Sequence, residues 1–253
     1  MPYAEISPAQ LLRKLGTHDA PTIFDLCLPE DHALDPYVIP TACRLSHLDI
    51  PEVDGPVVCV CQRGKKISHG AAALLRARGI PAQALSGGMI AWREAGLPAI
   101  PSAILPKSGT PWVTRHRPRI DRLAVPWLVR RFIDPAAPNL YVPPVEVMGV
   151  ADRFGAIPFD HPEADLRDSD GRCTFDAVAE RFGLLHDALS DMATVIRAAD
   201  GYGEADEAAG LHAISVGLAR SHADDTDLLH AALPIYDALY RWARDGKDER
   251  HAH

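Results

Sequence analysis

The residues best equipped for chemistry are Cys61-Gln62-Arg63-Gly64-Lys65-Lys66-Ile67-Ser68. A cysteine followed by a glycine and three cations describes an anion-holding loop around a nucleophile. In a short turn that enters a helix, several backbone N–H groups converge on one point, and the helix dipole adds partial positive charge there. Arg63, Lys65 and Lys66 would add full charges. Each effect favours thiolate over thiol, so Cys61 is expected to have a depressed pKa and to act as a nucleophile. The same cradle, built from Gln62, Arg63, Gly64, Lys65, Lys66 and Ser68, would bind a dianionic oxyanion. A free cysteine at the end of a core strand is ordinarily a packing residue. The cationic glycine loop sets Cys61 apart, whereas Cys27, Cys43 and Cys59 lack such a loop and read as structural.

Such a loop works only if a buried strand delivers the cysteine and a helix follows it. Residues 56–61 are apolar on both parities, as a central parallel strand should be. A helix is predicted over 68–78 and a further strand over 80–85. Gly87-Gly88 then opens a helix through Met89, Ile90 and Trp92 that stops at Gly96. Upstream, Ser7 caps a helix predicted over 8–15, with Pro8 at its favoured first position, and 21–26 reads as a short buried strand. This alternation predicts an α/β domain, a parallel sheet with flanking helices. Ligands bind such sheets at the carboxyl ends of the strands.

The length, 253 residues, favours two domains. Prolines 98, 101, 106 and 111 with Gly109 mark a semi-rigid linker. The expected organisation is an α/β domain over 1–100, a linker over 101–111, a mostly helical domain over 112–245 and a polar tail over 246–253. The formal net charge is -8. Residues up to 111 are balanced, so the whole excess falls on the second segment, although arginines cluster there at 115, 117, 119, 122, 130 and 131. That balance argues against a broad nucleic-acid surface but not against a small anion site. No apolar run approaches the roughly 18–20 residues needed to span a bilayer. The first residues lack the pattern of a cleavable leader. Five cysteines without a CxxC pair suit a reducing compartment, and the expected location is the cytoplasm. No motif calls for a cofactor.

The stretch VVCVCQRGKKISHGAAALLRARGIPAQALSGGMIAWREAGLPAI resembles the second half of rhodanese domains. The shared features are the strand-Cys-loop-helix, the Leu85-x-Gly87-Gly88 turn, the Trp92 helix and the Gly96-Leu97-Pro98 exit. The resemblance covers about 100 residues. It implies that Cys61 takes the outer sulfur of thiosulfate or a related donor, carries it as a persulfide and passes it to a thiol acceptor. Phosphatases and arsenate reductases of related architecture close a longer loop with an arginine six residues after the cysteine. Ile67 stands there, which disfavours phosphatase chemistry. Two departures fall in the first half. Asp25 of the family's Asp-x-Arg is kept but Cys27 replaces the arginine, and of the Gly-His-Ile-Pro-Gly-Ala turn only Ile39, Pro40 and Ala42 remain.

In the second segment, Ile120, Leu123, Ala124, Trp127 and Leu128 make one apolar helical face. Arg119, Arg122 and Arg130 would share another if that helix were continuous. Residues 114–135 also resemble the chromate-resistance protein family, in its ChrB-type C-terminal domain. So do 157–160, 172–176, 197–200 and 236–240. Val125 stands where a cysteine is common in that family, and Asp168 where a histidine is expected. The resemblance implies a sensing or regulatory role beside chromate efflux. A possible second site comprises Arg117, Arg119, Arg122, Asp160 and Cys173. Asp176, Asp200, Glu207 and His212 could join Asp160 and Cys173 around a metal, although their spacing fixes no ligand set and the metal is left unassigned.

Together these features lead to the expectation of a cytoplasmic sulfurtransferase associated with chromate resistance. Its partners would be a small sulfur donor, a thiol acceptor and chromate, with no role for nucleic acid or membrane. The alternative is a non-catalytic, oxyanion-sensing regulator of a chromate-resistance system.

Overall fold

Val57, Val58, Cys59 and Val60 are all essentially inaccessible to solvent, which is why this strand is apolar on both parities. The computed structural model that contains it describes residues 4–247 and residue 249. It divides into two compact units between Leu105 and Pro106. In the first, the elements are β1 (Glu5–Ile6), α1 (Pro8–Leu12), β2 (Thr22–Asp25), α2 (Pro29–Leu34), β3 (Tyr37–Val38), β4 (Cys43–Arg44), β5 (Val57–Val60), α3 (Lys66–Ala77), β6 (Ala82–Leu85), α4 (Gly88–Glu94) and β7 (Ile100–Pro101).

The sheet runs β1-β6-β5-β2-β4, entirely parallel, with β5 at its centre. On one face, Phe24, Leu26, Val57 and Cys59 meet Ala71, Ala72 and Leu75 of α3. Each large apolar side chain buried in this way contributes about 1.5–3 kcal/mol. Ser7 caps α1 reciprocally with Gln10, at 3.2 and 3.0 Å. α3 begins at Lys66, two residues before the expected start, so Ser68 falls in its first turn.

The expected linker belongs partly to each unit. Ile100–Pro101 pairs antiparallel with Tyr37–Val38, closing the first unit. Ser108 Oγ and the Gly109 N–H donate to the Asp134 carboxylate, at 3.1 and 2.6 Å, within the second.

That second unit contains β8 (Trp112–Arg115), α5 (Ile120–Leu128), β9 (Asn139–Val142), α6 (Val147–Phe154), β10 (Ile157–Pro158), α7 (Thr174–Arg181), α8 (Asp187–Ala199), α9 (Ala208–Ser221) and α10 (Asp225–Arg241). It is helix-rich, yet β10-β8-β9 form a parallel sheet that was not expected. Val113 on one face packs against Val147 and Ala151 of α6. Trp112 on the other meets Phe159 and Phe182, ring centroids 6.1 and 6.0 Å apart. Trp127 of α5 is centred among Phe132, Phe175 and Tyr240.

The proposed arginine face does not form. Arg119 precedes α5, and a π-helical turn over Val129–Ile133 rotates Arg130 away from the α-helical spacing. Of the expected tail, Gly246 closes a second π-helical turn and the Lys247 Nζ lies 2.6 Å from Asp191. Residues 248 and 250–253 lie outside the described residues. Among the described residues, no helix is long and apolar enough to cross a membrane.

Candidate active site

Cys61 leaves β5 at the carboxyl end of the sheet and is only 5% exposed. Its Sγ lies 3.2 Å from Ser68 Oγ and accepts the Lys65 N–H at 3.4 Å. Burial alone would raise its pKa. The Ser68 hydroxyl and the backbone N–H groups of Ser68, Lys65 and Arg63 outweigh burial and hold the thiol below its ordinary value. The other buried cysteines move the opposite way. Burial pushes Cys59 up to about 12, and burial with Asp25 nearby pushes Cys27 well above the ordinary thiol range. Cys61 differs from Cys59 and Cys27 in the direction of its shift because the Ser68 hydroxyl and the loop N–H groups face its sulfur.

The loop is locked from behind by the Leu85-Ser86-Gly87-Gly88 turn. The Met89 N–H donates to the Cys61 carbonyl and the Ile90 N–H to the Gln62 carbonyl, both at 3.1 Å. Two glycines make this backbone-on-backbone packing possible. A Cβ on Gly88 (φ +63°) would sit 2.0 Å from the Cys61 carbonyl oxygen, and one on Gly64 (φ +60°) 2.3 Å from the Leu85 carbonyl oxygen. Both are also in the left-handed region that glycine occupies without strain.

Arg63, Lys65 and Lys66 are exposed, and none forms an ion pair with another described residue. Their charges remain available to an incoming anion. Gln62 is turned toward Cys27, its Oε1 3.8 Å from the Cys27 Sγ. Ile67 is partly buried and packs on the core, with no arginine in its place.

Arg44 was not anticipated. It reaches from β4 to Asp25, Nη1 to Oδ2 at 2.8 Å, and its Nη2 donates to the Cys27 carbonyl at 3.4 Å. The guanidinium missing two residues after Asp25 is thus supplied by the adjacent strand, where Arg44 is the register partner of Asp25. Beside this pair lies a half-open cavity of about 360 Å³, lined among others by Cys27, Arg44, Ser46 and His47.

In the second unit only part of the expected cluster assembles. Asp160 Oδ2 lies 3.1 Å from both Arg122 Nε and Arg115 Nη2. Asp160 holds φ +51°, an uncommon conformation that an aspartate tolerates better than most residues. Arg115 was not among the expected members. Arg117 donates its backbone N–H to Asp225 at 2.9 Å with its side chain exposed, and Arg119 is exposed. Cys173 is buried at the start of α7, its Sγ 3.4 Å from Asp176 Oδ2, and burial with Asp121 and Asp176 raises its pKa strongly. It is a core thiol.

Two of the candidate metal ligands are held by other groups. Asp176 pairs with Arg197 at 2.6 Å and His212 Nδ1 lies 3.3 Å from the Ala199 carbonyl oxygen. Among the described residues, no three His, Cys, Asp or Glu side chains converge on a metal-sized site.

The sequence model of the family described as "ChrB, C-terminal domain" matches residues 112–243. The chain belongs to this family. It is 33% identical over 134 residues to Protein ChrB of Cupriavidus metallidurans, which covers 52% of this chain and 40% of that protein. The chain therefore spans well under two thirds of the length of this curated relative.

Among solved structures, a rhodanese-related protein from Thermoplasma volcanium is similar at 23% identity and TM-score 0.34, covering 39% of this chain and 98% of that one. A rhodanese-like domain protein from Staphylococcus aureus is similar at 28% identity and TM-score 0.31, covering 35% and 90%. A thiosulfate sulfurtransferase from Pseudomonas aeruginosa is similar at 25% identity and TM-score 0.32, covering 38% and 19%. The Arg115–Asp160–Arg122 cluster lies inside the family match, whereas Cys61 and its loop lie outside it.

Proposed function

We propose that this protein is a sulfurtransferase that carries sulfur as a persulfide on Cys61 and works in a chromate-resistance setting. The observation that carries the reading is the Cys61 Sγ set against Ser68 Oγ and the Lys65 N–H at the start of α3. The thiolate attacks the outer sulfur of thiosulfate, and sulfite leaves with the electron pair of the broken S–S bond. Arg63, Lys65 and Lys66 attract the dianionic donor, and the N–H groups of the loop hold the persulfide anion. An acceptor thiolate then takes the outer sulfur and returns Cys61 to thiolate. The test is the intact mass of the protein after incubation with thiosulfate, beside Cys61→Ser. The expected result is a protein one sulfur atom heavier, with no gain in the variant; a folded protein that gains nothing overturns the reading.

Membership of the ChrB C-terminal family favours a second reading, a regulator in which the cysteine loop senses an oxyanion without turnover. Chromate, a tetrahedral dianion like the sulfonate end of thiosulfate, links the two. Competitive inhibition of sulfur transfer by chromate supports a shared cradle, and no inhibition at millimolar chromate removes that link.

A further inference from the structure

We propose that α9 is a self-association surface, on which a second copy of this chain packs antiparallel about a two-fold axis through Ala213. Within its own unit α9 is held from one side, where Ala208, Leu211 and Ser215 recur at helical spacing and are buried. The opposite side carries Ala209, Gly210, Ala213 and Gly217, all exposed, and Ile214 beside them is 46% exposed. An apolar helix face is thus left open to solvent.

The charges at the two ends of this face choose its partner. Asp206 lies in the turn that leads into α9, and Arg220 lies in the last turn of the helix. Both are exposed, and neither side chain forms an ion pair or hydrogen bond with another described residue. They stand seven residues to either side of Ala213. An antiparallel pair centred on Ala213 therefore sets Asp206 of each copy opposite Arg220 of the partner subunit. A parallel pair would set like charges against each other at both ends. Opposed helix dipoles favour the antiparallel arrangement as well. The contact is isologous, the same face meeting itself across a two-fold axis.

The same centre sets Ala209 opposite Gly217, so the backbones can come close. Glycine is the least favoured residue inside a helix apart from proline. Gly210 and Gly217 have no atom within 4 Å of an added Cβ, so nothing in their own unit calls for glycine there. A second helix does, because small residues let two helix axes approach to about 8 Å, the short end of the usual range. The 14 residues of α9 span ~21 Å. One helix pair of this length buries less than a standard interface of about 1,600 Å². The dimer is therefore weak and forms as concentration rises.

The test is sedimentation equilibrium of the full-length chain from micromolar to millimolar concentration, under reducing conditions so that the exposed Cys43 forms no cross-link. Circular dichroism establishes that each variant is folded. Wild type is expected to pass from monomer to dimer and no further. Ala213→Glu keeps a good helix former at an exposed position but brings two carboxylates together on the axis, and is expected to stay monomeric. Asp206→Arg and Arg220→Asp each set like charges at both ends and are expected to weaken the dimer roughly tenfold. An equimolar mixture of these two variants is expected to recover it, because each end then pairs an arginine with an aspartate. Charges that served only the stability of α9 itself would gain nothing from mixing. A wild type monomeric throughout, a dimer indifferent to Ala213→Glu, or a mixture no tighter than either variant alone overturns the inference.

Discussion

Gly88→Ala tests the idea that the reactive cysteine is positioned by a backbone-to-backbone contact behind it. The added Cβ would lie 2.0 Å from the Cys61 carbonyl oxygen, 2.3 Å from the Gly64 nitrogen and 2.8 Å from the Gln62 carbonyl oxygen. These neighbours are backbone atoms and cannot swing away, so the turn must separate from the loop. Gly96 is a matched control, because it has nearly the same φ, +65° against +63°, but nothing within 4 Å of its added Cβ. Alanine in the left-handed region costs about 1–2 kcal/mol at either position. Gly88→Ala also breaks the Met89 to Cys61 and Ile90 to Gln62 hydrogen bonds. Leaving those buried groups unpaired adds about 2–6 kcal/mol for the two. Displacing the loop by about 1 Å would slow chemistry at Cys61 on the order of 10²-fold. Pulse proteolysis in urea, read on peptides of the α/β unit, gives the stabilities. The rate of Cys61 alkylation, read by mass, gives the reactivity. The expected result is a modest loss of stability with unchanged alkylation for Gly96→Ala, and a larger loss with much slower alkylation for Gly88→Ala. Equal losses in the two variants would refute the claim that the Gly88 contact positions the cysteine.

Two further outcomes follow from the charged groups. Ser68→Ala removes the hydroxyl beside the Cys61 Sγ and is expected to raise the thiol pKa. The pH profile of alkylation then moves to higher pH, with a slower rate at neutral pH; an unmoved profile would show that the backbone N–H groups suffice. In the second unit, burial pushes Asp121 from 3.8 up to about 7, helped by the nearby charges of Asp160 and Asp200, although it accepts the Thr174 and Phe175 N–H groups. A raised carboxyl pKa means that the folded state holds the proton more tightly. Its stabilising contribution is therefore complete below pH 3.8 and is lost as pH rises through about 7. Asp121→Asn keeps an acceptor for α7 and should flatten the pH dependence of the second unit's stability over that window, measured by urea unfolding; an unchanged slope would sink the assignment.

The features readable in the amino-acid sequence were the local ones. Apolar residues on both parities marked β5, and a glycine-bearing cationic segment marked the turn into α3. Two adjacent glycines marked the turn that locks the loop, because only a residue without a Cβ fits there. Each signal spans a few residues, so short-range sterics and burial are enough to write it. Tertiary structure decided the rest, because the partners are distant in sequence. Asp25 found its guanidinium 19 residues away, at Arg44, once β2 and β4 had paired in register. Arg115 met Asp160 across 45 residues, and Asp121 capped α7 from 53 residues upstream of Thr174. The β10-β8-β9 sheet escaped notice because its strands are two to four residues long and separated by whole helices. The arginine face failed because one π-helical turn changed the rotation per residue after α5. Spacing along the chain determined which residues could form a nucleophile's loop, whereas strand register and helix packing determined which charges were buried together, because a buried charge requires a partner wherever the fold brings one.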